Sequence, residues 1–219
     1  MGFFNNKKIK LNREEILKLV LEEKNGDKIK IINNYCVVRN QNFDSDIEKI
    51  NFYVDEYEKS QKTWKETFEI AEVMSDELKM ENARILASIN NNLGESVDMA
   101  KVYVTASKNK NVMKRISEIK NWLEEPETLK RCSVYCQITK KEFDNDFSMI
   151  NYVIDEKENS SKLFERNIEI INVMENSEKM GIAALLAKLD GCQINNPAKL
   201  ASIYLETKNK DEKNLKLQE

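Results

Sequence analysis

The chain has 219 residues, enough for one large domain or two small ones, and its 41% hydrophobic and 33% charged residues with only five Gly and two Pro exclude a β-sandwich with many tight turns. A net charge of −3 argues against a dedicated nucleic-acid binder, which needs a basic excess to displace counterions from phosphate. The absence of histidine removes Ser-His-Asp and Cys-His nucleophiles, histidine-ligated zinc and Glu-x-x-His di-iron bundles together.

Residues 1–10 read as a flexible terminus, with Phe3-Phe4 beside Lys7, Lys8 and Lys10 too weak for a membrane tether. The first helix is expected from Asn12, an N-cap with Glu15 three residues on, to just before Gly26. Lys28-Ile-Lys-Ile-Ile is compatible with a strand, but its counterpart 100 residues on opens with Pro126 and places Leu129, Cys132, Tyr135 and Cys136 at helical spacing, so both are predicted helical. A third helix opens at Asp44 or Ser45 with Ile47, Ile50, Val54 and Tyr57 on one stripe, and a fourth runs from Ser60 to Met74 through Trp64, Phe68 and Ile70. Ser75 is expected to start the fifth, which carries Leu78, Ala83, Leu86 and Ile89 and ends near Gly94; the sixth follows from about Glu95 to Lys108. In the second half, a helix from about Asn111 to Glu124 matches the first, and Asn196-Pro197 marks the last start as N-cap and first-turn proline.

Displacing the chain by 100 residues aligns Tyr35-Cys36 with Tyr135-Cys136, Phe43-Asp44-x-Asp46 with Phe143-Asp144-x-Asp146, and Asp55-Glu56 with Asp155-Glu156, giving 21 identities across positions 35–90 without a gap. The fold expected is therefore all-α: a tandem duplication of a six-helix unit of about 100 residues, stacked as α-solenoid-like helical hairpins, with two compact helical bundles as the alternative. The expected domains are 11–110 and 111–210, followed by a flexible tail at 211–219.

Candidate chemistry is sparse. Cys36, Cys132, Cys136 and Cys192 lack a C-x-x-C pair and read as reduced, buried thiols. Asp44, Asp46, Asp144 and Asp146 could be imagined as metal or acid-base carboxylates, but first-turn aspartates that cap helices, worth roughly 0.5–2 kcal/mol each, explain them better. No glycine-rich phosphate loop is present, and no cofactor or metal is expected. The Trp64, Phe68 and Phe164 stripe with Met74, Met80, Met174 and Met180 has the spacing of core packing.

Charge alternates along the chain: 1–40 carries net +4, 41–100 net −8, 101–141 net +6 and 142–200 net −5. The basic junction supplies the candidate interaction residues Lys108, Lys110, Lys114, Arg115, Lys120, Lys130 and Arg131, together with Trp122, which has no aromatic counterpart at position 22. The function expected is a non-enzymatic, cytoplasmic adaptor or scaffold that binds a protein partner or itself, as in a bacterial multi-protein assembly. Alternatives are a nucleic-acid-associated regulator using 108–141, or a phage- or plasmid-borne inhibitor protein. No apolar run reaches the ~18–20 residues of a membrane helix.

Overall fold

The computed structural model describes residues 26–90 and 93–216, with side chains through Lys210. Among these residues every regular element is an α-helix. They are α1 (Gly26–Val38), α2 (Asp46–Lys59), α3 (Gln61–Ser75), α4 (Glu77–Ile89), α5 (Ser96–Ala106), α6 (Lys110–Glu124), α7 (Pro126–Thr139), α8 (Asp146–Asn159), α9 (Ser161–Met174), α10 (Ser177–Leu189) and α11 (Pro197–Lys216). The predicted helix at 12–25, Phe3-Phe4 and the terminus at 1–10 lie outside the described residues.

Helix ends follow from local hydrogen bonding. Ser45, in extended backbone, accepts from the Glu48 amide while the Glu48 carboxylate accepts from the Ser45 amide, a reciprocal capping box that opens α2. Asn145 opens α8 by accepting from the Ser148 amide at 2.9 Å. The caps are thus Ser45 and Asn145, not Asp44 and Asp144; Asp46 and Asp146 fall in the first turn, where a carboxylate complements the helix dipole. The α3–α4 boundary also departs from expectation. Ser75 ends α3 because its hydroxyl donates to Ala71 O at 2.7 Å and accepts from Asn34 at 2.8 Å, and Asp76 caps α4 instead. Pro126 occupies the first turn of α7, and Asn196 caps α11 through the Lys199 amide at 3.0 Å. α11 runs on to Lys216, through part of the expected tail.

By its internal contacts the chain divides between Ile116 and Ser117, inside α6. In the first unit α1, α2 and α3 pack mutually, and so do α3, α4 and α5. In the second, α7, α8 and α9 pack mutually, and so do α9, α10 and α11. The central helix, α3 or α9, therefore touches four other helices of its unit, while neither α1 with α5 nor α7 with α11 is among the extensive pairings of the described residues.

Each unit's core sits along its central helix. In the first, Ile32, Tyr35, Ile50, Tyr53, Val54, Trp64 and Ala71 form one cluster, and Val73, Met80, Ala83, Ala100 and Tyr103 a second. In the second, Ile170, Val173 and Ala201 form a cluster with Ile138, Met174 and Met180 against it. Tyr135, Cys136, Ile150, Val153, Ile154, Ala183 and Ala187 are buried at the positions that Tyr35, Cys36, Ile50, Tyr53, Val54, Ala83 and Ala87 occupy 100 residues earlier. The expected stripes hold in the middle of each helix and fail at its start. Ile47 and Leu78, both second residues of their helices, are exposed.

Candidate interaction surface

The basic junction is built on α6 and α7 with the turns before them. Lys108, Lys110, Lys114 and Lys130 are exposed, and Arg115, Lys120, Trp122 and Arg131 are half-buried. Lys108, Lys110, Lys114 and Arg115 belong to the first unit, whereas Lys120, Trp122, Lys130 and Arg131 belong to the second. Two of these side chains have structural duties. Trp122 receives the Lys157 ammonium at 5.3 Å from its ring centroid, a cation–π pair. Arg131 donates to Asn172 and pairs with Glu175 at 3.6 Å, so its guanidinium ties α7 to α9 rather than standing free for phosphate.

The other sequence candidates resolve into scaffolding. Asp46 pairs with Lys49 at 3.0 Å within its own helix, and the Asp44 amide donates to Glu48. Among the described residues no group of three or more Cys, Asp or Glu side chains converges as metal ligands would. Trp64 stacks on Phe68 with centroids 5.0 Å apart and meets Tyr53 and Tyr57 edge-on, which makes it core.

The thiols are free. Burial pushes Cys36 and Cys136 up to about 11, and burial followed by the neighbouring Cys136 pushes Cys132 up to about 12, so these three are neutral and poor nucleophiles near pH 7. Cys192 differs from the expectation of a buried thiol: it is exposed, just after Gly191, whose φ of +70° turns the chain out of α10.

Sequence reasoning missed an exposed apolar face on α10. Ile182, Leu185 and Leu189 are 41%, 62% and 83% exposed and follow one another at three- and four-residue spacing on one side of the helix. The corresponding α4 residues are Asn82, Ile85 and Ile89, of which Ile85 is 0% exposed and Ile89 half-buried. The signal present in sequence was the pairing of Asn82 with Ile182, an apolar gain at a position that one copy leaves polar. No family model, curated protein or solved structure matches the chain.

Proposed function

We propose that the chain is a non-enzymatic helical-repeat adaptor or scaffold, arisen by tandem duplication and acting in the cytoplasm through protein–protein contact. The observation that carries this reading is the packing order. Among the described residues α1, α3 and α5 pack in succession with α2 and α4 bridging them, α7, α9 and α11 do the same with α8 and α10, and neither α1 with α5 nor α7 with α11 is among the extensive pairings. A closed bundle would bring its first and last helices together; an open succession is what stacked hairpins produce, and stacked hairpins offer broad side surfaces to partners. The buried, neutral thiols and the carboxylates committed to helix starts support a structural rather than catalytic use of the polar residues. Occupation of Arg131 by Glu175 and of Trp122 by Lys157 weighs against a phosphate-binding junction.

The test is affinity capture of the tagged protein from its native cells, with mass spectrometry of co-purifying chains. A stoichiometric protein partner is expected. Recovery of none, together with steeply salt-dependent binding of DNA or RNA that Lys110→Glu and Lys114→Glu abolish, would transfer the assignment to the nucleic-acid reading.

A further inference from the structure

We propose that Cys132 and Cys136 of α7, together with Met149 of α8, form a binding site for a soft monovalent cation, copper(I). The two cysteines stand four residues apart on one face of α7 and are only 3% and 4% exposed. Their Cβ atoms therefore lie about 5–6 Å apart, close enough for both Sγ atoms to turn toward one ion. Burial first and Cys136 second push Cys132 up to about 12, so the two sulfurs are electrostatic neighbours.

The α7–α8 hairpin brings Met149 to this pair. The two helices pack extensively and are joined by the short connection 140–145, which makes them antiparallel neighbours. Tyr135, one residue before Cys136, has its ring 6.3 Å from that of Tyr152, three residues after Met149. That register sets Cys136 across from position 149 and Cys132 across from position 153, one turn further along each helix. The first unit has the same juxtaposition: burial pushes Cys36 up and the Lys49 ammonium pulls it back, so position 49 stands near position 36. Met149 is half-buried, which leaves a way in from solvent to the two covered thiols.

The donor chemistry selects the ion. Two thiolates and a thioether are soft ligands, the kind that favours copper(I), whereas zinc takes four ligands drawn from cysteine, histidine and carboxylate. The chain has no histidine, and among the described residues no group of three Cys, Asp or Glu side chains converges. Both thiol protons leave as one monovalent ion enters, so affinity rises with pH and the bound ion stabilises the folded chain. The first unit holds one donor of the three, with Ile32, Cys36 and Lys49 at the equivalent positions, and the lysine charge opposes a cation there.

The experiment is anaerobic titration of the reduced full chain with copper(I) in competition with the chromogenic chelator bathocuproine disulfonate, in a Cys192→Ser background that removes the exposed thiol. One copper(I) per chain is expected, with a first shell of sulfur alone by X-ray absorption and an affinity that rises with pH. Cys132→Val should release the ion, whereas Cys36→Val should leave it in place. Met149→Leu is close in volume at a half-buried position, so it should keep the far-UV circular dichroism unchanged. It should weaken retention by at least about tenfold, the loss that even an outer-shell partner of a metal site causes. No copper(I) held against the chelator, retention that survives Cys132→Val, or retention indifferent to Met149→Leu overturns the proposal.

Discussion

The two units place the same tyrosine, glutamate and central helix at the same register and satisfy them differently. In the second, the Tyr135 hydroxyl donates to Glu156 at 3.3 Å, and Thr139 bonds back to the Tyr135 carbonyl at 3.0 Å. In the first, position 39 is arginine, and Arg39 takes Glu56 at 2.9 Å. Thr67 lies beside Tyr35, but its hydroxyl donates to Thr63 O, so the buried Tyr35 oxygen is short of a well-formed partner. Burial first and the Glu56 charge second push Tyr35 up to about 12. One substitution four residues along the helix, arginine for threonine, thus redirects a shared carboxylate. The units differ again in core chemistry: Tyr53, Tyr57, Trp64 and Phe68 are Val153, Lys157, Phe164 and Ile168 in the second. Similar helix arrangements tolerate different fillings provided volume and polarity are balanced within each unit.

The aromatic core gives the sharpest way to break the equivalence. Trp64→Ala should cost about 3–5 kcal/mol, because the indole is buried among three aromatic rings, whereas Phe164→Ala, removing a half-buried ring, should cost clearly less. Urea denaturation of both variants, with hydrogen exchange to locate the loosened unit, measures the difference. Equal losses would mean that the two cores are energetically interchangeable.

Alkaline pH separates the units next. A buried thiol raised from 9.0 stays protonated in the folded chain while the unfolded chain ionises. The unfolded state therefore binds fewer protons above pH 9, and stability falls as pH rises toward the folded values of about 11 for Cys136 and about 12 for Cys132. Each such group contributes a slope of at most about 1.4 kcal/mol per pH unit within that window. The second unit has two of these thiols where the first has Cys36 with Ile32, so the second should loosen first between pH 9 and 10.5. Cys132→Val should bring the two closer together, read by hydrogen exchange as pH rises.

Smaller effects test the tyrosines and the helix ends. Tyr135→Phe should destabilise by about 1 kcal/mol, because it removes a bond to a carboxylate, while Tyr35→Phe should be neutral or stabilising by relieving a poorly satisfied buried hydroxyl. The same change at equivalent positions with opposite signs is measurable by denaturation; matching signs would refute the redirection of the glutamate. Both units close their α1 or α7 helix with a left-handed residue, Asn40 at φ 54° and Lys140 at φ 56°. Asparagine tolerates that region better than lysine, so Lys140→Asn should raise the melting temperature, by a free energy of about 0.5 kcal/mol.

The all-helical character was legible because apolar periodicity and the internal sequence similarity at a displacement of 100 reinforce each other. Lys28-Ile-Lys-Ile-Ile alone does not declare a helix; Pro126 and the spacing of Cys132 and Cys136 do, and α1 and α7 are both helical. Details that depend on distant partners were not legible. Ser75 looks like an N-cap until Asn34, 41 residues earlier, claims its hydroxyl. Arg131 looks like an available cation until Glu175 is brought beside it by the pairing of α7 with α9. Leu189 looks equivalent to Ile89, since local sequence records hydrophobicity but not whether another element covers it.

Trp122 and Lys157 provide the finest test of how the two units differ. Position 22 is Glu where position 122 is Trp, and position 57 is Tyr where position 157 is Lys, so the two halves differ at both members. Tyr57 meets Trp64 edge-on, whereas Lys157 places its ammonium over the Trp122 ring. If the two changes are coupled through the cation–π contact, a double-mutant cycle with Lys157→Met and Trp122→Leu should give an interaction energy of about 0.5–1 kcal/mol, because the pair is half solvated. Lys157→Met keeps the aliphatic stem, so the cycle isolates the ammonium from the packing of its chain. Salt should leave that coupling nearly unchanged, since a close ammonium–ring contact is screened far less than a surface charge pair. A coupling indistinguishable from zero would mean that Trp122 is held by burial alone, and that the paired differences at 122 and 157 have no energetic connection.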